Sequence, residues 1–371
     1  MTQKKISITP TQFMLIVLQT QVGAGIIGLP FGVHAEAKGD SWLAVLIAGV
    51  ITQLLILLIW TLNKRFPSQS IYEFLPKLLG KWLGKLLILG YSLFFVMLSS
   101  TVMIRYFGVV HIWMLPETPR WVINGLLFAA AVYLGISNLR QIARLYVFAS
   151  GVVAIHILIA TLTYFDPFTT TNIDYILPLG QIAGPINLLK GANQSFFAMT
   201  GFETMLVLYP FVEGSPAAKL KAASLANLWT TLIYVFITFT ALVVFSPVEM
   251  GLIPEPVIYM LKAFRFQLVE RPDLYFISLW VVSIFTSMFS FLYLAILGIT
   301  RFFNHHVHRK WVLWVVLLGY AITFIPFGHL DVENLSEVVD ILSYIFIVGI
   351  PPILLILSYL FGKQGEKGEV R

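Results

Sequence analysis

Cysteine does not occur in this chain, and charged residues fill only 11% of its 371 positions. The first absence removes disulfides, thiolate nucleophiles and cysteine metal sites, and leaves the redox compartment open. The second removes the polar surface that a soluble domain, about a quarter charged, presents to water. Also missing are a phosphate-binding loop, metal-ligand spacing and a nucleophile–base arrangement, so neither an enzyme, a metal nor a cofactor is expected. What is present is apolar: 58% hydrophobic residues, thirty phenylalanines and a mean hydropathy of +0.86. Such a chain needs lipid as its solvent, which makes it an all-α integral membrane protein.

A span takes about 20 apolar residues. Ten segments meet that test, near 11–34, 40–62, 85–111, 120–138, 142–165, 185–211, 222–246, 273–300, 311–328 and 337–361. "HAEAK" (34–38) offers an Ala-x-Ala pattern, but the run before it is longer than the roughly 7–15 residues of a signal peptide and carries Pro30. It is therefore kept as the first span. Loops that share a side with the N-terminus hold seventeen Lys and Arg residues; the opposite loops hold five, Lys38, Arg120, Lys262, Arg265 and Arg271. That asymmetry places both termini in the cytoplasm. It also explains the net charge of +6 as a topology signal rather than a nucleic-acid surface, and "HHVHRK" (305–310) is read in the same way.

Ten divides into five and five, and because five is odd the second half enters from the opposite face, as an inverted repeat requires. The repeats are expected near 10–165 and 185–361 of one transmembrane domain, followed by a short polar tail, 362–371. Corresponding features recur. Span 1 is interrupted at Gly23-Ala24-Gly25 and span 6 at "MTGFE" (199–203). Amphipathic stretches, 70–85 and 254–270, link spans 2 to 3 and 7 to 8.

Unwound backbone in hydrocarbon leaves polar groups unpaired at several kcal/mol each, so it is tolerated only inside protein or beside a polar cavity. A half-helix N-terminus suits a carboxylate, and a facing C-terminus offers carbonyls to an ammonium group or a cation. Two interruptions side by side therefore favour a zwitterion such as a free amino acid. Gly28 and Gly32, four apart, are read instead as a helix-packing contact. Glu203 could contact a ligand amine, change protonation during a cycle, or hold the broken backbone by hydrogen bonds. "SST" (99–101) and "TSMFS" (286–290) could line the cavity or simply bond between helices, the latter also offering sodium ligands. Arg105 and Lys190 are expected to snorkel outwards, and His156 is expected to be a structural histidine.

"VGAGIIGLP" (22–30) and "FFAMTGFE" (196–203) resemble the span 1 and span 6 motifs of the amino acid–polyamine–organocation superfamily, with its LeuT-like fold. The whole chain resembles the spore germination permease family, the B subunits of germinant receptors. The resemblance runs through "ITPTQFMLIVL" (8–18), "AKGDSWLAVLIAG" (37–49), "RFPSQSIYEFLPKLLGKWLGKLL" (65–87), "LPETPRWVI" (115–123), "GISNLRQIARL" (135–145) and "NIDYILPLG" (172–180). It implies an inner spore membrane location, partner A and C subunits, and a small ligand such as L-alanine. Carried onto this chain, the pocket would take Gly23, Ala24, Gly25 and Ile26 from span 1, and Thr200, Gly201, Phe202 and Glu203 from span 6. Thr286 and Ser287 of span 8 and Ser100 and Thr101 of span 3 are further candidates. Span 5 carries no lysine, which departs from the proton-coupled amino acid permeases. The resemblance favours a sensor; an ion-coupled amino acid transporter is the alternative on the same architecture.

Overall fold

Several helices begin where the sequence supplies a cap. In the computed structural model, which describes residues 7–161, 164, 171–177, 183–263, 271–304, 307–325 and 328–365, the first is α1 (Pro10–Gln21). The Thr9 hydroxyl accepts from the Gln12 amide, the Gln12 side chain accepts from the Thr9 amide, and Pro10 fills the first turn without wasting a donor. The chain continues through α2 (Gly25–Ala37), α3 (Ser41–Arg65), α4 (Ile71–Leu79), α5 (Lys81–Trp113), α6 (Arg120–Gly135) and α7 (Leu139–Thr161). Then follow α8 (Gly184–Ala198), α9 (Thr204–Leu208), α10 (Pro216–Val244), α11 (Pro247–Met250), α12 (Pro256–Ala263), α13 (Pro272–Phe302), α14 (Arg309–Ile322), α15 (His329–Ser343) and α16 (Ile350–Leu360). A π-helical turn, Tyr344–Gly349, joins the last two.

Among the described residues, six helical stretches are long and apolar enough to cross a membrane: Gly25–Arg65, Lys81–Trp113, Leu139–Thr161, Pro216–Val244, Pro272–Phe302 and Leu330–Leu360. Of the other expected spans, the first falls on α1 together with α2, which opens the Gly25–Arg65 stretch, and the rest fall on the shorter helices α6, α8 with α9, and α14. The amphipathic stretch at 70–85 is shorter than the sequence suggests. It ends at Gly80, whose φ of +84° turns the chain, and the residues from Lys81 onwards already belong to α5. Of the stretch at 254–270, α12 occupies the first half and 264–270 lie outside the described residues. Outside them too are His305, His306 and the end of the polar tail.

The two long helices α5 and α13 pack along each other and are the most enclosed of the six apolar stretches. Around that pair sit α1, α7, α14 and α15, while α3 packs on α8, α10 and α16. Near the start of α1, Ile8 pairs with Val212 in a parallel bridge, donating to the Phe211 carbonyl at 2.9 Å and accepting from the Glu213 amide at 2.9 Å. Ser7 also bonds the Glu213 carboxylate. This stitch ties the start of α1 to the segment that follows α9. Residues where α5 finishes and α6 begins line a cavity of about 810 Å³.

Candidate functional site

Between α1 and α2 the helical bond pattern lapses at Val22, Gly23 and Ala24. Between α8 and α9 it lapses over Met199–Glu203. These two stretches touch. Gly201, at φ +131°, lies so close to the end of α1 that a Cβ there would stand 2.8 Å from both the Gln21 nitrogen and the Thr20 carbonyl carbon. A Cβ on Gly25 would stand 2.8 Å from that of Ala198.

Backbone carbonyls freed in this way need donors, and side chains supply them. The Gln21 amide donates to the Met199 carbonyl at 2.9 Å, tying one stretch to the other. The Tyr234 hydroxyl of α10 reaches both, donating to Gln21 O at 2.8 Å and to Ala198 O at 3.3 Å. From α13, Ser287 donates to Thr20 O at 2.8 Å and the Trp280 indole to Gly23 O at 3.2 Å. Thr20, Ser290 and Tyr146 complete the cluster through hydroxyl bonds of 2.7 Å. The carbonyls of Thr20, Gln21, Gly23, Ala198 and Met199 therefore each have one donor from the protein. By contrast, α2 starts without a side-chain cap, so its first N–H groups present their positive potential at the junction.

A cavity of about 70 Å³ lies at this junction. Of the candidate residues, Gly23, Ala24, Gly25, Thr101, Thr200 and Ser287 line it. Ile26, Ser100, Gly201, Phe202, Glu203 and Thr286 do not. Ser100 instead bonds the Gly319 carbonyl of α14 at 2.9 Å, and Thr286 bonds the Gln19 side chain at 2.9 Å. Ile26 and Phe202 are buried in the apolar core. Glu203 is fully buried and turns back on its own turn, one carboxylate oxygen accepting from the Gly201 amide at 2.7 Å. Of its three sequence-based roles, this geometry is the backbone anchor.

Two expectations change. Gly28 and Gly32 are not a helix-packing contact. A Cβ on Gly28 would meet only the Pro254 carbonyl at 3.4 Å, one on Gly32 would meet nothing within 4 Å, and both residues line a second cavity of about 810 Å³. Arg105 does not leave the bundle for the interface; it lines both cavities, as does Asp340 of α15, which the sequence did not single out. Lys190 is exposed on the flank of α8. His156 is buried, its Nε2 3.3 Å from the Phe276 carbonyl and its ring against that of Phe276, away from both cavities. The larger cavity also takes in Arg120, Trp113 and Glu255. Glu255 lies in the link before α12, and burial raises its carboxyl above the usual range.

Gln21, Tyr234 and Trp280 were missed as well. Gln21 lies two residues before the glycines, in an apolar run, and that placement was the available signal.

Comparison with known proteins agrees with the helical architecture. The chain is similar over 96% of its length to 99% of MhsT, solved in complex with L-phenylalanine, with a TM-score of 0.61 at 16% identity, which supports a LeuT-like fold. It is 26% identical over 353 residues to spore germination protein GerQB of Bacillus cereus, covering 95% of both chains. It is also 26% identical to spore germination protein A2 of Bacillus subtilis, covering 93% of both. With YndE, another spore germination protein of Bacillus subtilis, it shares 25% identity over 97% of this chain and 98% of that one. The family described as spore germination protein, the spore permeases, matches residues 7–332. An integral membrane protein with apolar helices of this length, the chain belongs to the spore germination permease family.

Proposed function

We propose that the protein is a transporter-like nutrient receptor subunit that binds a small free amino acid between the α1–α2 and α8–α9 junctions. In this reading α1–α2 and α8–α9 are interrupted spans 1 and 6 of a ten-span, five-plus-five inverted repeat, 10–165 and 185–361. Both termini face the spore core from the inner spore membrane. A and C subunits of a germinant receptor read the bound state, because binding moves a conformational equilibrium only through unequal affinity for its two states.

The observation that carries this reading is the small polar cavity at the meeting of two helix ends. At about 70 Å³ the cavity is well above the roughly 10–15 Å³ needed to admit a single water, and it is far smaller than its neighbour of about 810 Å³, which favours a small ligand. L-Alanine has six non-hydrogen atoms.

The test is a thermal-shift screen of the purified full-length chain against the twenty amino acids. Glycine, alanine and serine are expected to raise the transition most. Thr101→Leu, which fills the cavity from α5 without touching the junction backbone, is expected to abolish the shift and leave the unliganded transition in place. No shift with any amino acid would overturn the proposal. Gradient-dependent accumulation of labelled amino acid by liposomes carrying the protein alone would replace the sensor with a transporter.

A further inference from the structure

Four charged side chains line the two cavities: Arg105, Arg120, Glu255 and Asp340. Arg120 is engaged elsewhere, donating to the Thr323 carbonyl at 3.1 Å and lying over the Phe107 ring. Glu255 belongs to the larger cavity alone. Arg105 and Asp340 differ from both, because they line the small cavity and the large one together with Ala24, Gly25, Phe197 and Ala198. They therefore stand at the neck where the two spaces meet.

Each lies in the other's electrostatic field. Yet neither the Arg105 nor the Asp340 side chain makes an ion pair or a hydrogen bond among the described residues. A guanidinium presents five N–H donors and a carboxylate about four lone-pair sites. Charges within a membrane bundle are costly and are held where something pairs with them. Arg105 is exposed and Asp340 half-buried, so their donors and acceptors open onto the cavities they line. A cation and an anion on the wall of one cavity of this size are complementary to one molecule that carries both charges.

The junction backbone sharpens the assignment. The uncapped start of α2 and Arg105 are both positive elements at the cavity wall, and together they suit a carboxylate. The junction carbonyls of Thr20, Gln21, Gly23 and Met199 each already accept one hydrogen bond from Ser287, Tyr234, Trp280 and Gln21, and none of them carries a full charge. Asp340 is the remaining negative group on the wall.

We infer that Arg105 and Asp340 are the specificity-determining residues of the ligand site, Arg105 receiving the carboxylate and Asp340 the ammonium group of an α-amino acid. This rests on the reading that the cavity binds an amino acid. It predicts a ligand class that excludes amines without a carboxylate and acids without an amine.

The test uses the full-length chain in nanodiscs. Glycine, L-alanine, L-valine, L-leucine and L-phenylalanine are each titrated beside the corresponding amide and 2-hydroxy acid. Wild type is expected to prefer amino acids over both analogue series by about tenfold or more, the worth of one charge-assisted hydrogen bond. Arg105→Gln is expected to lower the preference over amides about tenfold while leaving amide affinity nearly unchanged. Asp340→Asn is expected to do the same for the preference over 2-hydroxy acids. Each variant decides for its own residue, and Arg105→Lys and Asp340→Glu, which keep the charges, are expected to restore most of the discrimination. Wild-type binding with unchanged preferences in the variants would overturn this inference alone. Parallel weakening of every ligand would also overturn it, marking the pair as structural or gating. Failure of wild type to bind any of the five amino acids would remove the ligand reading itself and this inference with it.

Discussion

Replacing Gly201 by alanine adds one methyl group at the closest approach of the two junctions. The residue sits at φ +131°, and the new Cβ would lie 2.8 Å from two backbone atoms of the α1 terminus, Gln21 N and Thr20 C. Neither can rotate away as a side chain would. Holding a side chain in that region of backbone space costs about 1–3 kcal/mol, and forcing a methyl into closed packing costs about 1–3 kcal/mol more. The sum, roughly 2–6 kcal/mol, is a large share of a typical folding free energy of about 5–15 kcal/mol. Gly32→Ala is the matched control, since a Cβ there meets nothing within 4 Å and helix propensity favours alanine by about 1 kcal/mol. Thermal unfolding in detergent, followed by the fluorescence of the nine tryptophans, is the assay. Gly201→Ala should lower the transition by about 3–8 °C, and Gly32→Ala should leave it unchanged or raise it. A Gly201→Ala transition within about 2 °C of wild type would refute the reasoning, because it would mean the junctions do not press together as described.

Two further substitutions probe the same cluster. Tyr234→Phe removes the hydroxyl that Gln21 O and Ala198 O share; it should cost about 1–3 kcal/mol, read as a lowered unfolding transition with no change in secondary structure by circular dichroism. Glu203→Gln keeps an oxygen for the Gly201 amide and should preserve stability and amino acid binding, whereas Glu203→Leu leaves that buried N–H unpaired and should lose about 1–3 kcal/mol. Equal behaviour of the two Glu203 variants in unfolding measurements would remove the anchoring role.

The helical class and the kinship were legible because they rest on bulk properties and long in-order strings. The glycines at 23 and 25 were legible as a disturbance because helix propensity is local. The donors that stabilise it were not. Tyr234 lies 213 positions from Gln21 and Trp280 lies 257 from Gly23, and nothing in an apolar helix marks which hydroxyl or indole will meet a particular carbonyl. Gly28 and Gly32 misled for a related reason: a spacing of four shows that two small residues share a helix face, but not whether a helix or a cavity lies opposite. Arg105 was judged by depth along its span, which cannot distinguish the lipid interface from the neck of an internal cavity. Asp340 in the last span was the available clue, since two opposite charges in separate apolar segments are more economically explained by one shared space than by two interfaces.

The most direct measurement is a high-resolution map of the full-length chain in a lipid nanodisc at saturating L-alanine. The account predicts ligand density between Gly23–Gly25 and Thr200, with α1–α2 and α8–α9 still parted on either side of it. Ordered ligand at another place, or continuous helix through Val22–Ala24 and Met199–Glu203, would contradict it.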